Sequence, residues 1–200
     1  GVQDQFQTRK PPRTYRYDSA LDPALSWDEQ RERDRGEWLL GLVVRAYETV
    51  DAAALHEAIE ESRETLLPWL PWAKTQHLTV HGSRDSIALF NDARERLLDP
   101  ELGPVFGAVH GVFCAQTGTL LGGAGLVRIN AARHTGEIGY WVRASRRREG
   151  VSTRATAAML SWCFTPQERG GFGLRRVVIF AARANVPSCG VPAKLGLHRF

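Results

Sequence analysis

Two adjoining stretches decide the fold: IGYWV at residues 138–142 and RREGVST at residues 147–153. The first is apolar enough for a buried strand, and the second is a basic turn that contains Gly150 and opens a helical pattern through Phe164. Such a turn can hold a phosphate, because its free N–H groups and the positive end of the helix dipole both face an anion there. The pattern therefore predicts a phosphate site beside Gly150.

The common nucleotide fingerprints do not fit this turn. Neither the P-loop pattern G-x-x-x-x-G-K-[ST] nor a full G-x-G-x-x-G is present. Gly150 lets the backbone come close to a ligand, and the neighbouring arginines add positive charge. We therefore expect a different pyrophosphate ligand, and the residues around the turn favour coenzyme A.

Size and composition fit one globular domain with an extension. The chain has 200 residues, of which 43% are hydrophobic and 24% charged, as is ordinary for soluble proteins. No apolar stretch approaches bilayer length, and no secretory signal is visible. We therefore expect a cytoplasmic protein that does not bind a membrane.

Cysteine and charge usage argue against several classes of site. The three cysteines, at positions 114, 163 and 189, are widely spaced, which favours reduced core residues over disulfides or a zinc site. The six histidines show no metal-ligand spacing, so no metal is expected. The net charge of +4 is mild and no nucleic-acid-binding motif accompanies it. A small phosphorylated ligand is favoured over nucleic acid.

The N-terminal part is predicted to be an extension of the domain. Residues 1–23 contain prolines and few aliphatic residues, which favours a mobile arm or a strap across the domain. A capping box at Ser26 and Glu29 predicts a short helix over residues 27–35. We assign residues 1–37 to the extension and residues 38–200 to the domain.

A strand at residues 38–47 and two helices are predicted in the first half of the domain. Asp51 can cap the first helix, and Pro68 ends it. Ser83 or Asp85 can cap the second. The apolar positions at helical spacing are Leu55, Ala58 and Ile59 in the first helix, and Ile87, Phe90 and Leu97 in the second.

Strands dominate the second half, which begins with a hairpin and continues with a strand–helix–strand crossover. The order is mixed α/β (α+β). The predicted elements are strands at 105–113, 120–129 and 137–142, a helix at 151–164, a strand at 175–182 that is apolar on both faces, and a short last helix from Pro187.

Three stretches in order carry a family resemblance. They are PWLPW at 68–72, GEIGYWV at 136–142 leading into R-x-x-G-x-S at 147–152, and N-x-x-S-x-x-V-x-x-KLGL at 185–197. The second matches the Q/R-x-x-G-x-G/A pyrophosphate turn of the GNAT superfamily of acyl-CoA-dependent N-acetyltransferases. Together, over about residues 42–200, they resemble that superfamily, and within it the ribosomal-protein N-terminal acetyltransferases of RimJ/RimL type.

The resemblance implies the GNAT acyl-CoA N-acyltransferase fold, a mixed central sheet with splayed central strands flanked by helices. Ser152 departs from the usual glycine or alanine of the turn, and Gly190 and Pro192 weaken the last helix. The chain also stops at Phe200, where the family places another strand and usually one more. Either C-terminal strands are missing, or a partner covers the open side. Such an edge favours self-association, for example as a homodimer.

The resemblance also implies where acetyl-CoA binds. Its pantetheine would lie between the splayed strands like an added strand, its pyrophosphate would meet the N–H groups of the turn, and Arg146 or Arg147 would pair with the 3′-phosphate. The alternatives are a solvated loop for the arginines, a plain helix start for Thr153 and a turn residue for Asn185. The predicted cofactor-binding residues are Trp141, Val142, Arg147, Arg148, Gly150, Val151, Ser152, Thr153 and Asn185.

Acetyl transfer needs one group that accepts the amine proton and another that protonates the thiolate. Glu137 is the candidate base, because a carboxylate on a central strand can be half-buried with a raised pKa. A structural glutamate paired with an arginine is the alternative. The tyrosine that the superfamily often uses as the acid corresponds here to Pro192. The resemblance instead implies Ser188 as the candidate acid, because relatives of this branch have a serine near the sulfur, with a helix cap as the alternative.

Trp72 and Tyr140 are predicted to line the acceptor pocket, whereas Trp69 is expected to pack between helices. His134 is a candidate proton shuttle, with a surface histidine as the alternative. We expect a primary amine to attack acetyl-CoA directly, without a covalent enzyme intermediate. The resemblance favours a protein N-terminus as the acceptor. A small amine, such as a polyamine or aminoglycoside, and a non-catalytic acyl-CoA-binding module are the alternatives.

Overall fold

Seven strands and four helices make up the part of the chain that the computed structural model describes, residues 41–96 and 107–199 with the backbone of 13–18. The predicted helix over 27–35, the domain boundary at residue 38 and Leu97 lie outside these ranges. The strands are β1 (Arg13–Asp18), β2 (Leu42–Ala46), β3 (Ala108–Cys114), β4 (Leu120–Asn130), β5 (Thr135–Val142), β6 (Arg176–Ala181) and β7 (His198–Arg199). The helices are α1 (Ala52–Leu66), α2 (Val80–Arg96), α3 (Val151–Phe164) and α4 (Val186–Lys194).

All strands belong to one mixed sheet in the order β2-β3-β4-β5-β6-β1-β7. Strands β2 to β5 pair antiparallel with their sequence neighbours. Short turns join β3, β4 and β5, whereas the connection from β2 to β3 contains α1 and α2. The connection from β5 to β6 runs through α3 and makes these two strands parallel. The predicted mixed sheet, with its hairpin run and its crossover, is present.

The parallel pairing between β5 and β6 is short. Thr135, Gly136 and Glu137 pair with residues 176–178, and the pairing ends at Glu137 and Val178. Beyond that point the two strands diverge, while β5 stays paired with β4 as far as Val142. The sheet is therefore splayed at its centre, as the resemblance implied.

Helices cover both faces of the sheet. Adjacent residues of β3 point to opposite faces, and Val112 belongs to the apolar cluster of α3 whereas Phe113 belongs to the cluster of α1 and α2. The predicted apolar stripe of α1 is buried, as is Ile87 of α2. The three cysteines are buried and unbridged, as predicted. None of the helices in the described ranges has the length and hydropathy needed to cross a bilayer.

Two local expectations are wrong in detail. Helix α2 begins at Val80, before both predicted caps, because the hydroxyl of Thr79 accepts the Gly82 N–H at 3.0 Å and so caps the first turn. The hydroxyl of Ser83 instead contacts the ring of His77 at 3.1 Å. Asp51 precedes α1 as expected, but its carboxylate accepts bonds from Arg45 and from the backbone of Glu48. Strand β6 has apolar residues on both faces, as predicted; Val177, Ile179 and Ala181 are buried on one face, and Phe180 on the other is exposed at an open cleft.

Residues 13–18 form a strand inside the sheet. β1 pairs antiparallel with β6 along its whole length, and two of its residues pair with β7 on the other side. The outer edge of β6, which the sequence analysis left open, is thus occupied by an N-terminal segment of the same chain. Local pattern did not indicate this pairing, because it joins segments far apart in the sequence.

Candidate active site

A cleft opens where β5 and β6 separate. Its lining comes from β5, the turn after it, the start of α3, the end of β6 and α4, together with the segment around Trp72. Apart from His134, the structure brings every predicted site residue to this cleft: Trp72, Glu137, Tyr140, Trp141, Val142, Arg147, Arg148, Gly150, Val151, Ser152, Thr153, Asn185 and Ser188. Their chemical roles remain predictions.

The turn between β5 and α3 has the backbone of an anion site. Arg148 and Gly150 adopt left-handed conformations with φ of 67° and 69°. Gly150 is the N-cap residue of α3 and has no side chain. The cap residue therefore accepts no bond from the first N–H groups of the helix, which leaves them available to a ligand. Consecutive N–H groups in such a turn form an anion-binding concavity.

Four arginines lie around this turn. Arg147 and Arg148 are exposed, and Arg146 forms an ion pair with Glu149 at 3.5 Å. Arg154, one turn into α3, is partly buried and also lines the cleft, and this burial lowers the pKa of its guanidinium. The sequence analysis missed Arg154, because a single arginine within a helix carries no signal of its own.

Trp141 is fixed by a glycine on the neighbouring strand. A side chain on Gly123 of β4 would place its Cβ 2.4 Å from the indole Nε1 of Trp141, so only glycine leaves room for the ring. The indole packs edge-on against Trp72, with 6.5 Å between ring centroids. The backbone of Trp141 therefore lies on the cleft while its side chain is buried in the core.

Glu137 stands where the two strands begin to diverge. Its side chain is 20% exposed, and Arg128 lies 3.8 Å away, measured from Nε to the carboxylate Oε2. Burial raises the pKa of Glu137, and Arg128 opposes this only in part. Both predicted properties are present together: a half-buried carboxylate with a raised pKa, and an arginine partner.

Tyr140 and Ser188 contact each other across the cleft. The Tyr140 hydroxyl donates to the carbonyl oxygen of Ser188 at 2.9 Å, and Ser188 Oγ donates to the Tyr140 oxygen at 3.4 Å. Asn185, the residue before α4, caps that helix by accepting a bond from the Ser188 N–H at 3.3 Å. The helix-capping role considered for Ser188 thus belongs to Asn185, which leaves the Ser188 hydroxyl directed at a phenol.

The two tryptophans of the PWLPW segment differ in their surroundings. Trp72 is half-buried and contacts the rings of Trp141 and His77. Trp69 is 38% exposed at the mouth of the cleft. The expectation that Trp69 packs between helices is wrong, because α1 ends at Leu66 and leaves Trp69 in the open connection.

An arginine on α1 holds the segment that carries Trp72. The guanidinium of Arg63 donates to the carbonyl oxygens of Ala73, of Gln76 at 3.3 Å and of His77 at 3.0 Å. The ring of His77 is buried, which lowers its pKa to about 4, so the ring is neutral at pH 7. This wall of the cleft is therefore braced by hydrogen bonds from α1.

His134 lies outside the cleft. Its side chain is exposed, its φ is 51°, and its carbonyl oxygen accepts bonds from the N–H groups of Arg175 and Arg176. This matches the surface-histidine alternative. Within the described ranges, no group of three or more His, Cys, Asp or Glu side chains could hold a metal ion.

The sequence matches the family model of the acetyltransferase (GNAT) domain over residues 41–198. The chain belongs to the GNAT acetyltransferase family. This protein is accordingly an acetyl-CoA-dependent acetyltransferase, and the cleft described above is its candidate active site. No curated protein matches the chain significantly.

Solved structures agree with this GNAT fold. The chain is similar to RimL, a ribosomal L7/L12 alpha-N-protein acetyltransferase solved with coenzyme A (20% identity, 76% of this chain and 77% of that chain, TM-score 0.64). It is similar to the ribosomal-protein-S5-alanine acetyltransferase of Vibrio fischeri (21%, 78% of both chains, 0.64). A third is the microcin C7 self immunity acetyltransferase MccE, solved with acetyl-CoA and AMP (18%, 78% and 77%, 0.62). At these identities the likeness establishes the fold.

Proposed function

We propose that this GNAT enzyme transfers the acetyl group of acetyl-CoA to the N-terminal amine of a protein. The observation that carries the proposal is the cleft that begins where β5 and β6 part at Glu137 and Val178. It has an anion-binding turn at one end and aromatic side chains at the other. A thioester with a diphosphate tail and an amine on a peptide can meet in such a cleft.

The cleft suits acetyl-CoA along its length. The pyrophosphate would bind the N–H groups of residues 150–153, and Arg147 or Arg148 would pair with the remaining phosphate. Pantetheine would lie beside the backbone of Trp141 and Val142, where β5 has parted from β6. Asn185 would bond the pantetheine through its amide NH2, since its Oδ1 caps α4.

The reaction would proceed by direct attack of the neutral amine on the thioester carbonyl carbon. A new C–N bond forms, the C–S bond breaks, and the amine loses a proton while the thiolate gains one. Glu137, with its raised pKa, would accept the amine proton directly or through a water. The Ser188 hydroxyl, bonded to Tyr140, would supply the proton to the thiolate.

Charge in the cleft favours a peptide over a polycation. Glu137 is the one carboxylate among the described lining residues, whereas the lining cations are Arg128, Arg146, Arg147, Arg148, Arg154 and Lys194. Polyamines and aminoglycosides need carboxylates to bind, so this surface disfavours them. Trp69, Phe180 and Val186 are exposed apolar residues at the cleft, and they can contact the first side chains of a peptide.

Relatives in the fold support the same acceptor. RimL and the Vibrio fischeri enzyme are named for the ribosomal proteins that they acetylate. An acceptor of that class would place the enzyme in the cytoplasm. These names support the proposal at the level of fold.

Thiol release and calorimetry test the proposal together. Wild-type protein is titrated with coenzyme A, then assayed with acetyl-CoA and a panel of peptides beginning with Ser, Ala or Met, with spermidine and kanamycin as small amines. Turnover on free peptides and none on N-acetylated controls supports the proposal. Turnover on the small amines alone assigns a different acceptor, and tight coenzyme A binding without any turnover indicates a non-catalytic module.

A further inference from the structure

Helix α1 forms ion pairs and hydrogen bonds with the turn that follows β5. Arg143, the first residue after β5, extends its guanidinium to two carboxylates one turn apart on α1, those of Glu57 and Glu61. The Arg143 side chain is 15% exposed, so this ion pair is better shielded from water than a surface pair. Arg143, Glu57 and Glu61 thus form one ion-pair network.

Two backbone N–H groups of the turn are also bound by α1. The Ser62 side chain is fully buried; its Oγ donates to the Ala58 carbonyl at 2.6 Å and accepts the Ala144 N–H at 2.9 Å. Glu61 Oε1 accepts the next N–H, that of Ser145, at 2.7 Å. We refer to Glu57, Glu61 and Ser62 as the α1 clamp.

Electrostatics agree with this geometry. Partial burial would raise the pKa of Glu61, but hydrogen bonds from Ser145 and Arg143 more than offset it and leave the pKa lowered. Glu61 is therefore ionised at neutral pH. Since Arg143 offsets one of the two clamp carboxylate charges, an anion that binds to the nearby turn faces less repulsion from the clamp.

The clamp fixes the N-terminal end of this turn. Its second end is fixed because residues from Val151 onward belong to α3. Between the clamp and α3 lie Arg148 and Gly150, whose left-handed conformations have φ of 67° and 69°. For arginine this conformation is unfavourable by about 1 kcal/mol and persists only when the surroundings impose it.

We propose that the α1 clamp positions residues 147–153 for the pyrophosphate of coenzyme A, so that Glu61 and Ser62 are positioning residues for cofactor affinity. This inference rests on the proposed function. The clamp touches no part of the ligand site itself; it fixes the backbone that precedes the site. Fixing a binding loop beforehand raises affinity, because less conformational entropy is lost when the ligand binds.

The test compares Glu61→Ala and Ser62→Ala with Glu61→Gln, which can still accept the Ser145 N–H. Glu64→Gln, which alters an exposed carboxylate of the same helix, is the control. Coenzyme A is titrated by calorimetry, and hydrogen exchange is followed without ligand in peptides spanning residues 143–153. Melting temperatures are recorded for each variant, so a poorly folding Ser62→Ala protein leaves the two Glu61 variants as the test.

We expect the Kd for coenzyme A to rise about tenfold in both alanine variants, with partial recovery in Glu61→Gln and no change in Glu64→Gln. Exchange should become faster in residues 143–153 of the same variants. Unchanged affinity or unchanged exchange in folded Glu61→Ala protein would overturn the inference, even if its melting temperature falls. Wild-type protein that binds no coenzyme A would instead refute the proposed function, and this inference with it.

Discussion

The hydroxyl of Tyr140 donates a 2.9 Å hydrogen bond to the carbonyl oxygen of Ser188 and so joins β5 to α4 across the cleft. Ser188 Oγ points back at the same phenol, at 3.4 Å. The candidate acid is thus a pair of hydroxyls supplied by two separate elements. Both residues line the cleft between β5 and α4.

The first prediction concerns this pair. Tyr140→Phe and Ser188→Ala should each lower kcat by about three- to tenfold, the effect of losing one hydrogen bond of about 1 kcal/mol. Because the two hydroxyls act together, the double variant should lose little more than the worse single variant. Steady-state kinetics on the best acceptor of the panel measures this. Effects that simply multiply would mean that the hydroxyls act independently.

Glu137 should set the acid limb of the pH–rate profile. A base works only when ionised, so kcat/KM should fall as the pH drops through the pKa of Glu137, which burial raises above the ordinary carboxyl range. Glu137→Gln should remove this limb and lower the rate by about 100-fold. If the Gln variant keeps the wild-type profile, Glu137 is a structural residue.

Arg128 gives a finer test of the same carboxylate. Arg128→Met removes the cation that lowers the pKa of Glu137, so the acid limb should move to higher pH, by less than about one pH unit for such an exposed arginine. Arg133→Met, at the exposed end of the same hairpin, is the control and should leave the limb in place. A shift to lower pH in Arg128→Met would contradict the prediction.

Gly150 can be tested against a glycine with the same backbone. Gly150 and Gly118 both have φ of 69°, so an alanine at either position should destabilise the fold by about 1 kcal/mol. Only Gly150 lies at the cleft, and we expect coenzyme A to bind at least about tenfold more weakly to Gly150→Ala. Gly118→Ala, in the turn between β3 and β4, should lose stability while keeping its affinity. Equal affinities in the two variants would argue against an anion site at Gly150.

Substitution of Trp72 should mainly lower stability, whereas substitution of Trp69 should mainly weaken peptide binding. Trp72→Ala removes a half-buried ring that packs on Trp141, and we expect a loss of about 2 kcal/mol in the free energy of unfolding. Trp69→Ala removes an exposed ring at the mouth of the cleft and should change stability by less than about 1 kcal/mol. It should raise the KM for peptides while leaving the KM for acetyl-CoA unchanged. A fall in melting temperature as large as that of Trp72→Ala would identify Trp69 as a packing residue after all.

Two buried histidines should make the fold sensitive to acid. Burial lowers the pKa of His77 and of His110 from 6.5 to about 4, with Arg63 and His56 acting on the first and Arg94 on the second. Between pH 6.5 and pH 4 these histidines bind protons in the unfolded chain but not in the folded protein. Their contribution to the free energy of unfolding is therefore complete above pH 6.5 and is lost as the pH falls towards 4. The loss is at most roughly 3 kcal/mol for each histidine.

Melting temperature against pH in His110→Leu measures this contribution. The variant should show a shallower fall between pH 6.5 and 4 than the wild type, since one of the two titrating groups is gone. His81→Leu, at an exposed position on α2, is the control and should keep the wild-type slope. Parallel curves for all three proteins would show that His110 takes up its proton in the folded state as readily as in the unfolded one.

Local sequence patterns predicted much of this architecture. The helix over Val151–Phe164 has the predicted bounds, because its glycine cap and its apolar spacing are set by neighbouring residues. The predicted strand 137–142 lies within β5 for the same reason. These two elements and the turn between them line one side of the cleft, so the position of that side could be predicted from local sequence.

The rest depends on contacts between distant segments, which periodicity does not report. Ser62 reads as one polar residue on a helix, and only the fold shows that its hydroxyl binds the Ala144 N–H. Tyr140 was predicted as an aromatic wall, and its hydrogen bond to Ser188 spans 48 positions of sequence. The exposure of one face of β6 could not be predicted either, because an apolar run looks the same whether one or both faces of a strand are buried.

The place of β1 between β6 and β7 has a consequence for how the protein is made. Residues 13–18 emerge from the ribosome long before residues 176–181, so β1 must wait for β6 before it can pair. Until then one margin of the growing sheet stays exposed to other nascent chains. Trimming or fusing the protein near residue 18 therefore disturbs a strand that pairs with β6 over its whole length.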